Sequence, residues 1–212
     1  MATSAELKQN ILNGGYDQAF AKLYGADTAT VAAQRVRYVD MIDHFEENFG
    51  TGRTVCLYSA PGRTEIGGNH TDHNNGKVLA ASINLDAIAI AAKRDDMKIN
   101  EKSEGHGLNE VDISTLSPDE AEYGRSSSMI KGVAAGLKEK GYEIGGFDAC
   151  TTSDVMGGSG LSSSAAFEVL IATVINHLYN DGKIDAVTVA KAAQFSENVY
   201  FGKPSGLLDQ TA

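Results

Sequence analysis

The feature that most constrains this chain is a glycine turn set between a strand and a helix. Residues 147–152 read as an apolar strand. Residues 162–180 read as a strongly apolar helix, with Phe167, Leu170, Ile171, Val174, Ile175 and Leu178 recurring at helical spacing. Between them lie Met156, Gly157, Gly158, Ser159, Gly160, Leu161, Ser162, Ser163 and Ser164. A glycine turn at a helix N-terminus leaves backbone N–H groups unpaired, and the helix dipole adds partial positive charge there. That is an anion site, and phosphate is its usual occupant. Three serine hydroxyls can donate to phosphate oxygens or ligate a metal. No lysine follows the glycines, so this is not the common P-loop, and Gly158-x-Gly160 lacks the third glycine of the dinucleotide fingerprint. A serine N-cap after a glycine turn explains the glycines alone; three consecutive serines favour phosphate.

The rest of the chain surrounds that turn with strands first and helices interleaved later. Thr3-x-x-Glu6 is a capping-box pattern, and helices are predicted over residues 17–24 and 28–48, ended by Gly25 and Gly50. In the third helix Val31, Val39, Ile42, Phe45 and Phe49 fit one face. This lead-in carries no chemical motif and reads as a surface-docking element. A strand is predicted over residues 54–60, stopped by Pro61-Gly62. Buried strands are predicted over 78–83 and 87–92, and shorter, more exposed ones over 98–102 and 110–113. Further helices are predicted over 127–140 and 185–201. The pattern is α+β, a mixed sheet with packed helices, divided into a helical lead-in, residues 1–52, and a main domain, residues 53–212.

Composition excludes several classes. Lys and Arg number 18 against 28 Asp and Glu, a net charge of −10, which argues against a nucleic-acid binder. The longest apolar run, 78–92, is broken by Asn84 and Asp86, so no membrane partner is expected. The N-terminus lacks the basic and apolar regions of a signal peptide, and Cys56 and Cys150 lie far apart in apolar runs as reduced core residues. A cytoplasmic location is expected. Glycine is abundant, 23 of 212, while proline numbers 3, which suggests tight turns and closely approached backbone.

Two other segments concentrate chemistry. Residues 60–76 gather Arg63, Glu65, Asn69, His70, Asp72, His73 and Asn74 between two predicted strands. Such a density of short polar side chains suits sugar hydroxyls, which need many fixed donors and acceptors. His70, Asp72 and His73 also invite a metal reading, but no further spaced ligand and no cysteine completes it. Residues 194–210 hold Glu197 near a helix end and Asp209 after a Pro-x-Gly turn. One carboxylate can hold magnesium and another can orient or deprotonate a hydroxyl; taken singly, each also reads as a solvated surface acid.

Together and in this order the three segments resemble the galactokinases, members of the GHMP family of small-molecule kinases. Residues 61–74 are similar to the family's sugar signature, usually Gly-Arg-x-Asn-Leu-Ile-Gly-Glu-His-Thr-Asp-Tyr-Asn. Residues 157–165 are similar to its ATP-phosphate loop, and Glu197 with residues 205–210 to its catalytic segment. The resemblance implies the N-terminal domain of a GHMP kinase, of the ribosomal-protein-S5-like type, acting with ATP and Mg²⁺ on the C1 hydroxyl of a galactose-like sugar. It implies that Arg63 faces the transferring phosphoryl group and that Asp209 is the base or electrostatic partner. Asn69, His70, Asp72 and the Gly206 backbone would hold the sugar. Gly157, Gly158, Ser159, Gly160, Leu161, Ser162 and Ser163 would wrap the phosphates, and Ser164 and Glu197 would hold Mg²⁺.

The sequence departs from the pattern where Asn69 stands for the usual Glu, His73 for Tyr, Glu65 for Asn and Gly67 for Ile. Asn69 loses a charge and gains a donor, so an amino sugar, pentose or uronic acid stays open beside a galactose-like hexose. A non-catalytic sugar or ATP sensor on the same fold is the alternative; kinases of mevalonate or homoserine would share the phosphate loop but not residues 63–74. Asp209 lies close to residue 212 while the family continues into a second domain. The chain is therefore expected to be the N-terminal part of a longer enzyme, with that C-terminal domain as its missing partner and little turnover alone.

Overall fold

A computed structural model describes residues 2–212. The chain begins with a short strand, β1 (Ala2–Thr3), and three helices, α1 (Ser4–Leu12), α2 (Asp17–Tyr24) and α3 (Thr28–Phe49). Strands β2 (Thr54–Gly67), β3 (Leu79–Lys93), β4 (Lys98–Ser103) and β5 (Leu108–Asp112) follow, then α4 (Ser126–Glu139) and β6 (Phe147–Ser153). The chain continues through α5 (Ser163–Asn180), α6 (Ala186–Phe195), a π-helical turn (Ser196–Tyr200) and α7 (Leu208–Thr211). The predicted α+β class is what forms: one six-stranded mixed sheet in the order β1-β2-β3-β6-β4-β5. Neighbours are antiparallel except β4 and β6, which run parallel because α4 carries the chain back across the sheet.

Period-two alternation on β3 sends side chains to opposite faces. Ala87, Ala89 and Ala91 face α4 and α5, packing with Tyr58, Ile130, Leu137, Leu170 and Ile171. Ile88, Ile90 and Ala92 face the lead-in helices, packing with Ile11, Phe20, Ile42 and Phe45. Helices therefore cover both faces of the sheet around β3. The lead-in helices start as their sequence predicts: Thr3 and Glu6 form a reciprocal capping box, and Asp27 accepts from the Ala29 and Thr30 N–H groups at 3.1 and 2.9 Å. Cys150 is buried and Cys56 half-buried, both unpaired thiols.

Three predicted elements differ. β2 does not stop at Pro61-Gly62 but runs on to Gly67, so Arg63 and Glu65 lie in a strand rather than a loop. Among the described residues the outer edge of β2 carries no partner strand beyond Val55, where a missing proline N–H is tolerated, and register shifts between Pro61 and Arg63 absorb the irregularity. The strands predicted over 78–83 and 87–92 are one continuous β3, and its first half is largely exposed rather than buried. The predicted helix 185–201 changes pitch at Ser196, where the wider π turn rotates Glu197 inward.

Asp86, the residue that seemed to interrupt β3, is instead a buried junction. It accepts from Arg37 Nη1 and Tyr24 Oη at 2.6 Å each and from the Ser59 hydroxyl. Arg37 also meets Asp154 at 3.1 Å, directly ahead of the glycine turn. Removing the guanidinium while keeping the carboxylate leaves a buried charge short of its main partner. Arg37→Leu should lower the unfolding free energy by about 2 kcal/mol in urea denaturation, and a loss near zero would show that Tyr24 and Ser59 suffice.

Candidate active site

Arg63 projects from β2 with its side chain only 8% exposed. A buried guanidinium needs acceptors for its fork of donors. Its Nε donates to Asp209 Oδ1 at 2.7 Å, Nη2 pairs with the same oxygen at 2.6 Å, and Nη1 donates to the Gly160 carbonyl at 2.6 Å. The Arg63 backbone N–H donates to the Leu161 carbonyl at 3.1 Å. His70 Nε2 lies 3.0 Å from Arg63 Nη2 and 2.9 Å from Asp209 Oδ1. One side chain thus joins the polar loop after β2, the glycine turn and the acid on α7.

The turn between β2 and β3 is shaped by left-handed backbone at Asn69 and His70 and a single 3-10 turn, Asp72–Asn74. Asp72 Oδ2 accepts the Leu208 N–H at 2.8 Å and so caps α7, the helix carrying Asp209. Burial alone would raise the Asp72 carboxyl, but the Leu208 N–H and His70 outweigh it and hold it below its ordinary value. Gly206 is needed for this contact, because a Cβ there would sit 1.9 Å from Asp72 Oδ2.

The opposite wall is the glycine turn. Gly158 and Gly160 take positive φ, at 76° and 78°. Ser162, the residue ahead of α5, is itself left-handed at φ 62°, and its hydroxyl makes no capping bond. That hydroxyl is buried without a hydrogen-bond partner among the described residues. A serine serving only as an N-cap would spend its oxygen on the helix; this one does not.

Behind that wall lies an acidic pair. Glu197, fully buried on the π turn, accepts from the Ser164 hydroxyl at 3.0 Å, Lys203 Nζ at 2.9 Å and Gln210 Nε2 at 2.9 Å. It is not the solvated surface acid that it can be read as in isolation. Glu168, one turn beyond Ser164 on α5, is also fully buried, and neither of its oxygens has a hydrogen-bond partner among the described residues. Burial and then the Glu197 charge push its carboxyl up to about 9.

These groups border a cleft of about 560 Å³ whose lining includes Arg63, Asn69, His70, Gly158, Gly160, Ser162, Ser163, Ser164, Gly206 and Asp209. The other candidates stand behind it. Asp72 caps α7, Leu161 holds the Arg63 backbone, and Ser159 Oγ closes the glycine turn on the Met156 carbonyl at 2.6 Å. Gly157 lines a neighbouring cleft, and Glu197 backs Ser164. The sequence reading missed Lys203, Gln210 and Glu168. Glu168 stands four residues after Ser164, a spacing that places both on one helix face.

A carboxyl whose folded pKa is raised adds stability only below its ordinary value near 4.5, and that contribution is lost as pH rises toward about 9. Glu168→Gln keeps the shape and removes the titration. Its stability relative to the parent should therefore rise between pH 5 and pH 8, by on the order of 4 kcal/mol, measured by chemical denaturation at each pH. A gap independent of pH would show that Glu168 is charged throughout.

Comparison with known proteins places this geometry. The galactokinase galactose-binding signature matches residues 43–93, and the GHMP kinases N terminal domain matches residues 128–212. A galactokinase of Clostridium tetani is 35% identical over 171 residues, 79% of this chain and 42% of that protein. A galactokinase of Pyrococcus furiosus is 40% identical over 153 residues, 72% of this chain and 42% of that protein. The crystal structure of Lactococcus lactis galactokinase complexed with galactose superposes with a TM-score of 0.75 at 34% identity, over 82% of this chain and 45% of that one. The chain spans less than half the length of these relatives. Among the described residues no helix is long and apolar enough to cross a membrane. With both signatures present in order and the fold shared, the chain corresponds to the N-terminal region of the galactokinases, a GHMP kinase domain carrying the galactose-binding signature.

Proposed function

We propose that this chain supplies the sugar-binding and phosphate-binding walls of an ATP-dependent kinase acting on the C1 hydroxyl of a galactose-like hexose. The observation that carries this reading is Arg63, which joins the sugar loop, the glycine turn and Asp209 at one cleft. The galactose complex of the Lactococcus lactis relative supports the choice of sugar.

Phosphoryl transfer depends mainly on positioning and on stabilising charge. Asp209 Oδ1 is fixed by Arg63 and His70, while Oδ2 takes no hydrogen bond among the described residues. Oδ2 is therefore the atom assigned to the hydroxyl proton. Asn69, His70 and Asp72, with the Gly206 backbone, orient the remaining hydroxyls. Residues 157–163 wrap the ATP phosphates with backbone N–H groups, and Ser162 offers its unpaired hydroxyl. Arg63 faces the transferring group. Ser164 and Glu197 are hard oxygen donors 3.0 Å apart, a set that fits magnesium, and an ion held there supplies positive charge beside the phosphates.

A second reading, a sensor that binds without turnover, draws on Asn69 and His73 standing where the signature usually has Glu and Tyr. ADP release with MgATP and a panel of monosaccharides, measured on the full-length gene product, separates the two. Sugar-dependent ADP supports the kinase. Sugar-dependent heat stabilisation without ADP supports the sensor.

Asp209→Asn should lower kcat by about 10²- to 10⁴-fold with galactose affinity retained, read by steady-state kinetics and calorimetry; unchanged turnover would remove Asp209 from the role of base. Ser164→Ala should weaken MgATP binding at least several-fold more than sugar binding, and the reverse order would overturn the assignment of the two walls.

A further inference from the structure

We propose that His70, Asp72 and His73 form a binding site for a transition-metal dication, with Zn²⁺ as the probe, and that its occupancy excludes sugar from that wall of the cleft. The exclusion rests on the sugar reading above; the metal site does not. One ligand atom from each of the three side chains lies within 4.8 Å of the others. Left-handed backbone at His70 and Asn75 and the 3-10 turn between them bring positions i, i+2 and i+3 to one point.

The hydrogen bonds prepare the donors. His73 Nδ1 lies 3.0 Å from the His70 carbonyl, which can only accept, so Nδ1 carries the proton and Nε2 presents a lone pair. That Nε2 meets only the exposed Asn74 amide, at 3.0 Å. A ring whose far N–H is held by a backbone carbonyl is the usual arrangement of a metal-ligating histidine. The Asp72 side chain is nine-tenths buried, and its Oδ1 has no hydrogen-bond donor among the described residues. His70 Nδ1 lies 3.2 Å from that oxygen without the alignment of a hydrogen bond. On the other side of the ring, Nε2 stands 2.9 Å from Asp209 Oδ1 and 3.0 Å from Arg63 Nη2. A metal on Nδ1 selects the tautomer that donates Nε2–H to Asp209, completing a carboxylate–histidine–metal line. A cation there also meets the Asp72 oxygen that takes no hydrogen bond among the described residues.

Two imidazoles and one carboxylate suit zinc and its first-row neighbours, and leave a coordination position open. Magnesium prefers oxygen alone, so this site and the Ser164–Glu197 pair differ in the cation they take. His73 stands where the sugar signature usually has tyrosine, so the third ligand belongs to this sequence rather than to the motif.

The test is calorimetric titration of the metal-free protein with ZnCl₂ at pH 7.5, with the histidine ring resonances followed by NMR. One zinc should bind per chain, shifting His70 and His73 and sparing His44, His106 and His177. His73→Tyr and His73→Asn should each weaken it at least tenfold; the side chain is exposed, so the fold tolerates both. No zinc binding, or binding that both variants leave intact, overturns the site. Saturating galactose should weaken zinc at least tenfold, and zinc affinity unchanged by bound galactose overturns the exclusion. Zinc binding that depends on His73 in a protein that takes no galactose leaves the site standing and removes the sugar reading instead.

Discussion

The Arg63 guanidinium is the contact on which the rest of this structure converges. A nearly buried cation is costly unless its donors are met, and here they are met by segments far away in sequence: the Gly160 carbonyl, 97 residues on, and Asp209, 146 residues on. The arginine that could serve an incoming phosphoryl group is therefore also the staple that sets the distance between the two walls. The fold has no freedom to place the glycine turn independently of the acid, because both are hydrogen-bonded to one planar fork.

The scaffold makes that staple possible by holding β2 firmly. β3 lies between β2 and β6 and is covered on both faces. Its alanines pack into the core under α4 and α5, while its isoleucines pack into the core under the lead-in helices. The register shift past Pro61 then turns Arg63 toward the cleft rather than toward either core. Arg37 extends the same logic from α3: by pairing with Asp86 and Asp154 it ties the lead-in helices to the residue at which the chain leaves the sheet for the glycine turn.

Much of the candidate site was legible as a set of segments, because their chemistry is written locally. Three serines after spaced glycines, polar residues packed behind an arginine, and an acid after Pro-x-Gly are local patterns, and the fold brings them together. What was not legible depends on pairing across distance. Nothing in residues 78–92 shows that Asn84, Leu85 and Asp86 stay within one strand; that follows from the bulge opposite and from Arg37 and Tyr24 receiving Asp86. The inward turn of Glu197 depends on a change of helix pitch that no period reveals. Glu168 reads as an ordinary polar residue in an apolar helix, and only the packing of α6, the π turn and α7 around it makes it a buried acid.

The charge arrangement bears on which form of nucleotide suits this cleft. Arg63 and Lys203 are the cations beside it, and each is already paired, with Asp209 and with Glu197. Asp72 adds a third carboxylate, while the raised pKa of Glu168 keeps it neutral near pH 7. A free polyanion would meet three negative side chains against two positive ones and would have to break existing ion pairs to gain either cation. On the kinase proposal, an anion that brings its own divalent cation would leave Arg63 on Asp209 and add its cation's charge beside Glu197. On that proposal, the positive field of the glycine turn and the hard oxygens of Ser164 and Glu197 would complement the two halves of a magnesium–nucleotide complex, and a chain with a net charge of −10 would present its phosphate site in that way.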